Sequence, residues 1–254
     1  MIGNTHASVA QWRESGRADP SVKILRSDAS SVRRLVSLIV KDSQSVVVAG
    51  VVPRLKALAV SGLKKKRCGE VFVFRRNLMP KIEIVPDPPQ QVGDDRIAIA
   101  LGALAIDATT SCIVVDVGTA LTCNVVTPAR DKKRPRFEGG LIMPGAALSL
   151  KALAQNTAQL PLLDVSSNEP RDFNFIGRNT AQAMRWGVVV AQVAALLAMI
   201  EGQKRTLGQA TRVIITGGGA MIIKDALKLV APTQTDFLFH PTLAHLGLFA
   251  AWRA

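Results

Sequence analysis

Short runs of β-branched and apolar residues recur along this chain, each cut off by glycine or proline, and longer segments with helically spaced apolar residues lie between them. Val46-Val47-Val48-Ala49, stopped by Gly50-Val51-Val52-Pro53, predicts a strand feeding a turn. Val71-Phe72-Val73-Phe74 predicts a second strand, and Ile82 to Val85 a third that ends at Pro86, Pro88 and Pro89. The alanine-rich stretch from Arg96 to Leu104 reads as a buried helix capped by an aspartate of Gly93-Asp94-Asp95. Ile113-Val114-Val115 is apolar at every position, as expected for a strand covered on both faces.

The second half continues the alternation. Val125-Val126-Thr127 and Gly140-Leu141-Ile142 read as the arms of a hairpin across a basic loop. Ala147 to Gln155 and Ala181 to Ile200 show helical periodicity, the latter behind the cap-like Asn179-Thr180. Val213-Ile214-Ile215-Thr216 is a further buried strand ending in Gly217-Gly218-Gly219, followed by helical Ala220 to Val230 and a last helix from Pro241 to Trp252. The pattern predicts an α/β protein that binds ligands where loops gather at strand ends. The natural division lies near Ala108 to Ser111, giving domains 1–108 and 109–254.

Composition narrows this picture. At 254 residues and 48% hydrophobic content the chain has ample material for a buried core. Its longest apolar runs, around Gly187 to Ile200 and Ile97 to Ala108, are broken by Gln192 and Asp107 and fall short of the ~18 to 20 residues of a membrane span. With no signal peptide in view, a cytoplasmic protein without a membrane partner is expected. Cys68, Cys112 and Cys123 have no paired spacing and form no zinc pattern with His6, His240 and His245, so neither a disulfide framework nor a structural metal is expected. The net charge of +13 is concentrated partly in Lys64-Lys65-Lys66-Arg67 and Arg130 to Arg136, both read as solvated loops or turns. Such charge suits nucleic acid or small anions. With aromatics at 4% and no tyrosine, the base-stacking residues of a single-strand binder are missing, and nucleic acid is not expected as a partner.

The candidate chemistry centres on Asp116-Val117-Gly118-Thr119-Ala120-Leu121-Thr122, which follows the apolar strand directly. Gly118 permits a tight turn, and Thr119 and Thr122 can offer hydroxyls and backbone N–H groups to phosphate oxygens. Asp116 cannot face a polyphosphate bare, because like charges repel, and so implies a cation between them. Gly3-Asn4-Thr5 is a weaker echo that suggests two similar half-domains clamping one ligand. Phosphate loops of the Walker type and dinucleotide fingerprints are absent, so a nucleotide site rests on these two turns and on Gly217-Gly218-Gly219. Asp95 with Arg96 supplies a carboxylate to take a proton and a cation to balance transferring phosphoryl oxygens; an ordinary helix start reads equally well from Gly93-Asp94-Asp95.

Taken in order, these motifs resemble the type III pantothenate kinase family. Its Asp-any-Gly-Asn-Thr is met in part at Gly3-Asn4-Thr5, its Val-Val-Pro at Val51-Val52-Pro53, and its Gly-Ala-Asp-Arg, with one change, at Gly93-Asp94-Asp95-Arg96. Its Asp-any-Gly-Thr-Ala is met in full at Asp116 to Ala120, with further matches at Gly139 to Gly145, Thr157 to Pro161, Ile176 to Thr180 and Thr216-Gly217-Gly218. The resemblance implies an actin-like, ribonuclease-H-like fold of two duplicated domains, acting as a homodimer. The implied reaction is ATP plus pantothenate to ADP plus 4′-phosphopantothenate, the first step of coenzyme A biosynthesis. It further implies Asp95 as proton acceptor, with Gly93, Asp94, Asp95 and Arg96 lining the pantothenate site and Thr180 contacting it. Gly3, Asn4, Thr5, Gly118, Thr119, Gly217 and Gly218 would hold ATP with its Mg2+, and Asp116 would bind a monovalent cation, K+ or NH4+.

This chain departs from the family pattern at three points. Asp94 stands in place of the alanine, and repulsion between the two carboxylates is expected to raise the apparent pKa of the pair. The tyrosine that borders pantothenate in the family has no counterpart in a chain with none. In the first motif the aspartate position falls on Met1, which leaves two readings: a translation start upstream of Met1, or a homologue that has lost the first strand. A catalytically impaired homologue acting as a transcription accessory or binding protein is the alternative function, and another sugar or acetate kinase of the same superfamily is a third.

Overall fold

The structure, a computed structural model, describes residues 1–12, 18–26, 28–39, 45–66, 69–74, 81–131, 133–165, 175–208, 210–233 and 236–253. In chain order the elements are β1 (His6–Trp12), β2 (Ala18–Arg26), α1 (Ala29–Leu38), β3 (Ser45–Val48), α2 (Pro53–Lys65), β4 (Glu70–Val73), β5 (Glu83–Ile84), α3 (Asp94–Ile106), β6 (Ser111–Val117), β7 (Ala120–Thr127), β8 (Arg136–Pro144), α4 (Ala146–Asn156), α5 (Thr180–Leu207), β9 (Thr211–Thr216), α6 (Ala220–Val230), β10 (Phe237–Phe239) and α7 (Leu243–Trp252). They fall into two compact units. One comprises residues 1–109, 126–139 and 242–254, and the other 110–125 and 140–241.

The first unit holds two small sheets, the antiparallel pair β1-β2 and the parallel pair β3-β4. Ile2 pairs with Ala7 of β1 on one side and with Gly50, just beyond β3, on the other. Ile2, Ala7, Val48, Val32, Leu35 and Val36 of α1, and Ala59 and Leu63 of α2 form one apolar core. Pro53 occupies the first turn of α2, where its missing N–H costs nothing, so the residue that ends the strand also starts the helix. The helices α3 and α7 cross at close range in the same unit. A Cβ placed on Gly102 would collide with the Leu243 carbonyl, and one on Gly247 with the Ala98 carbonyl. Glycine at both positions is what lets the two backbones touch.

The second unit is built around β6, whose parallel neighbour β9 is followed in turn by the parallel β10, with β7 and then β8 on its other side. Strands β7 and β8 run on into the first unit, where the start of β8 pairs with β5 at Glu83↔Arg136 and Ile84↔Phe137. Ile113, Val115 and Val117 of β6 pack with Val213 and Ile215 of β9, Val193, Leu196 and Ile200 of α5, and Ile223 and Leu227 of α6. Helix α5 is by length and composition apolar enough to cross a membrane, with a third of its most apolar window buried; its share of this core accounts for part of that character.

Three expectations change. The helix predicted from Arg96 begins at Asp94 with Gly93 as its N-cap, so both aspartates lie inside the first turn, complementing the helix dipole, and neither caps it. Lys64 and Lys65 belong to the last turn of α2, where cations suit the negative helix end, and Lys66 donates from Nζ to the carbonyls of Ser37 (3.0 Å) and Ile39 (3.3 Å). Arg136 starts β8 and pairs with Glu83 and Glu138 at 3.3 and 3.2 Å, so these basic runs are partly built into elements. Arg67, Lys132 and Cys68 lie outside the described residues, whereas Cys112 and Cys123 are buried free thiols.

Candidate active site

Two groups of candidate residues assemble, one within each unit. In the second unit, β6 delivers Asp116 to the carboxyl end of a parallel pair, opposite Thr216 of β9. Such strand ends are where open α/β sheets bind ligands. The turn Gly118-Thr119 that follows is exposed and is gripped from two sides. The Gly145 N–H donates to the Thr119 carbonyl at 2.9 Å, and the Gly219 N–H to the Val117 carbonyl at 2.8 Å. Gly217 has φ +95°, and a Cβ there would strike the Asp116 Oδ1 and, at 2.6 Å, the Val117 carbonyl. A Cβ on Gly145 would strike the Gly118 carbonyl. Only glycine closes this cradle.

Both helices that leave the cradle start on glycine. Helix α4 has Gly145 and α6 has Gly219 as N-cap, neither with a capping side chain. Two helix N-termini beside one glycine-rich turn give backbone donors and positive dipole ends that suit phosphate oxygens. Asp116, half-buried between Gly217 and the turn, brings a carboxylate to this cradle. Thr119 is exposed on the turn, but Thr122 points into the sheet, where its hydroxyl accepts from Asn124 Nδ2 at 2.8 Å. It is 8% exposed and leaves the phosphate-binding set. The reason is that β7 is buried on both faces from Leu121 to Val126, so Thr122 is already inside the sheet.

In the first unit, Gly93, Asp94, Asp95 and Arg96 form the start of α3. Asp95 folds back over its own turn, so that Oδ1 accepts the Arg96 N–H at 2.8 Å and lies against Gly93, where a Cβ would collide with it. Burial raises the Asp95 carboxyl above its ordinary range, and hydrogen bonds from the backbone of Arg96 and Asp95 oppose this; the charge of Asp94 is the smallest contributor. The expected carboxylate repulsion therefore has the right direction but is secondary to desolvation. Asp94 instead turns to α2 and accepts from Lys56 Nζ at 2.9 Å. Arg96 sets its guanidinium over the Phe137 ring, 5.1 Å from the centroid. Sequence reasoning gave no role to Lys56, because its partner lies 38 residues away; only the contact between α2 and the start of α3 shows it.

Of the remaining predicted residues, Gly3, Asn4 and Thr5 form the bend between the Ile2 pairing and β1, with Asn4 and Thr5 exposed. Thr180 opens α5 and is exposed; the preceding Asn179 caps the helix by accepting the Gln182 N–H at 2.9 Å. Gly218 is exposed at the turn into α6, with open space where its side chain would be.

Comparison with known proteins covers the whole molecule. The profile of the family described as type III pantothenate kinase matches residues 2–202. A type III pantothenate kinase of Fervidobacterium nodosum is 31% identical over 88% of this chain and 86% of its own. One of Chlorobium luteolum is 33% identical over 90% and 85%, and one of Hyphomonas neptunium 31% identical over 99% and 96%. Among solved structures, a Campylobacter jejuni protein described as a conserved Baf family transcriptional activator superposes with TM-score 0.55 at 18% identity, over 99% of this chain and 95% of its own. The ethanolamine utilization protein EutJ of Carboxydothermus hydrogenoformans gives 0.50 at 14%, over 98% and 87%. At these identities the structural likeness is one of fold, the actin-like α/β architecture.

Proposed function

Because the chain belongs to the type III pantothenate kinase family, we propose that it transfers the γ-phosphoryl group of ATP to the primary hydroxyl of pantothenate, releasing ADP and 4′-phosphopantothenate. The observation that carries this reading is the start of α3. A half-buried carboxylate with a raised pKa sits beside a guanidinium, which is what proton removal from an alcohol during phosphoryl transfer needs.

Asp95 accepts the hydroxyl proton as the oxygen–phosphorus bond forms and the bond to the ADP oxygen breaks. Arg96 offsets the negative charge that gathers near it, and Gly93 and Asp94 shape the acceptor side, with Thr180 as a further pantothenate contact. Gly118, Thr119, Gly217 and Gly218 hold the phosphates, and Gly3, Asn4 and Thr5 are further candidate ATP contacts. The glycine cradle around Asp116 fits such a ligand: a Cβ at Gly217 or Gly145 would fill it, and the starts of α4 and α6 donate into it. Asp116 would hold the monovalent cation, with Mg2+ accompanying the nucleotide; bound there, the cations neutralise phosphate charge. The activity places the chain at the entry to coenzyme A biosynthesis in the cytoplasm.

A homodimer accompanies this reading. Leu141, Ile142, Leu162, Phe175 and Ile176 are 49 to 73% exposed in the second unit and supply large apolar side chains for an interface. Helix α5 adds an exposed face of small residues at Ala183, Gly187, Ala191, Ala194 and Ala198, against which a second helix can approach closely.

The test is ADP release with and without pantothenate, in potassium and in sodium buffer, for the wild type and for Asp95→Asn and Asp116→Asn. Wild-type release should require pantothenate and potassium, Asp95→Asn should abolish it, and Asp116→Asn should remove the preference for potassium. Release that ignores pantothenate would refute the proposal.

A further inference from the structure

The pair Lys56–Asp94 joins a cation at the start of one helix to a carboxylate at the start of another. Lys56 lies in the first turn of α2, a position where the positive end of the helix dipole disfavours a cation, and that turn contains no acidic residue of its own. Asp94 stands where the family resemblance calls for alanine, next to Asp95. The two meet at 2.9 Å with their side chains only 23% and 12% exposed, so the contact is shielded from solvent. Asp94 supplies the counter-charge that Lys56 lacks in its own helix turn, and Lys56 offsets the charge that Asp94 sets beside Asp95.

The surroundings of Asp95 show what the pair does. Its own helix contributes the charges of Arg96 and Asp94, and α2 reaches this turn through Lys56 on Asp94; elsewhere α2 carries the exposed Arg54, and α7, packed on α3, carries His245, which meets Ser8 and which burial keeps neutral near pH 7. Of these, Asp94 is the group that would repel the Asp95 carboxylate. Resting on the kinase reading above, we infer that Lys56 is a positioning residue for the reaction: by holding Asp94 in an ion pair it cancels the charge beside Asp95 and keeps that carboxylate available to accept the hydroxyl proton.

The test combines the pH profile of kcat/KM for pantothenate with a 13C-carboxyl NMR titration of Asp95. Lys56→Met should move the acid limb and the Asp95 titration upward by about half to one pH unit, since removing the cation leaves the Asp94 charge uncompensated beside Asp95. Lys56→Arg should restore the wild-type profile, and Lys56→Met with Asp94→Ala should remove the shift. Asp94→Ala alone should move both readings downward, a second arm that needs no change at Lys56. An equal upward shift in Lys56→Met and in the double variant, or no shift in either, would overturn the inference. A wild type that releases no ADP with pantothenate refutes the kinase reading instead, and the NMR titration still decides the coupling between Lys56, Asp94 and Asp95.

Discussion

Asp95 is the residue on which the proposed chemistry rests, and its role can be separated from the fold because, among the described residues, its carboxylate is hydrogen-bonded within its own turn. Asp95→Asn keeps the shape and removes the proton acceptor. Turnover should fall by about 10² to 10⁴-fold, with the thermal midpoint near that of the wild type. Gly217→Ala is the complementary case, since it forces a side chain onto the Asp116 carboxylate at a φ that alanine rarely adopts. It should cost about 1 to 3 kcal/mol of stability and raise the KM for ATP more than that for pantothenate. His245 provides a pH signature. Burial, with the nearby amino terminus adding to it, lowers its pKa to about 4 from an ordinary 6.5, while Nε2 contacts Ser8 Oγ at 3.0 Å. The unfolded chain takes up this proton first as the pH falls from 6.5, so stability drops between pH 6.5 and 4, by up to about 3 kcal/mol. Urea midpoints at pH 7 and 5 should differ in the wild type and converge in His245→Gln. At this scale the sequence singled out Asp95, Asp116 and Thr119 as candidates, and the structure sets Asp116 and Thr119 beside one turn and Asp95 at a helix start. It misassigned Thr122, which lies in a strand buried on both faces, and passed over Lys56, whose partner is distant in sequence.

At the scale of elements, the runs that read as strands and helices from Val46 onward all occur, because each carries a clear apolar pattern and several end at glycine or proline. Helix α6 spans Ala220–Val230 as read, and β3, β4 and β6 lie within a residue or two of their apolar runs. The β1-β2 pair and α1 gave no such signal. The pattern of α1 is amphipathic but interrupted by Arg33 and Arg34, and β2 opens with an Asp-Pro step that reads as a turn. The crossing of α3 and α7 was equally invisible, since glycines in helices read as defects until their partner is known. Because α3 carries Asp95, this crossing anchors the site. Gly247→Ala, which drives a Cβ into the Ala98 carbonyl, should destabilise the protein by about 2 to 3 kcal/mol in chemical denaturation, whereas Gly202→Ala, with open space at that position, should be neutral or slightly stabilising.

At the scale of the whole molecule, the apolar surface of the second unit and the small-residue face of α5 predict a dimer. Gly187→Trp, at a position with nothing within 4 Å, should leave the monomer folded and shift sedimentation from the dimer toward the monomer. Charge acts at this scale too. A net +13 attracts anionic substrates such as ATP and phosphorylated products, and association should weaken with salt. The most direct measurement is the identity of the product. When the full chain is incubated with ATP, Mg2+, potassium and pantothenate, mass spectrometry should find pantothenate heavier by one phosphoryl group, in amounts equal to the ADP formed, and Asp95→Asn should yield almost none. A folded wild type that leaves pantothenate unmodified, or an Asp95→Asn variant that phosphorylates it at the wild-type rate, would contradict the account.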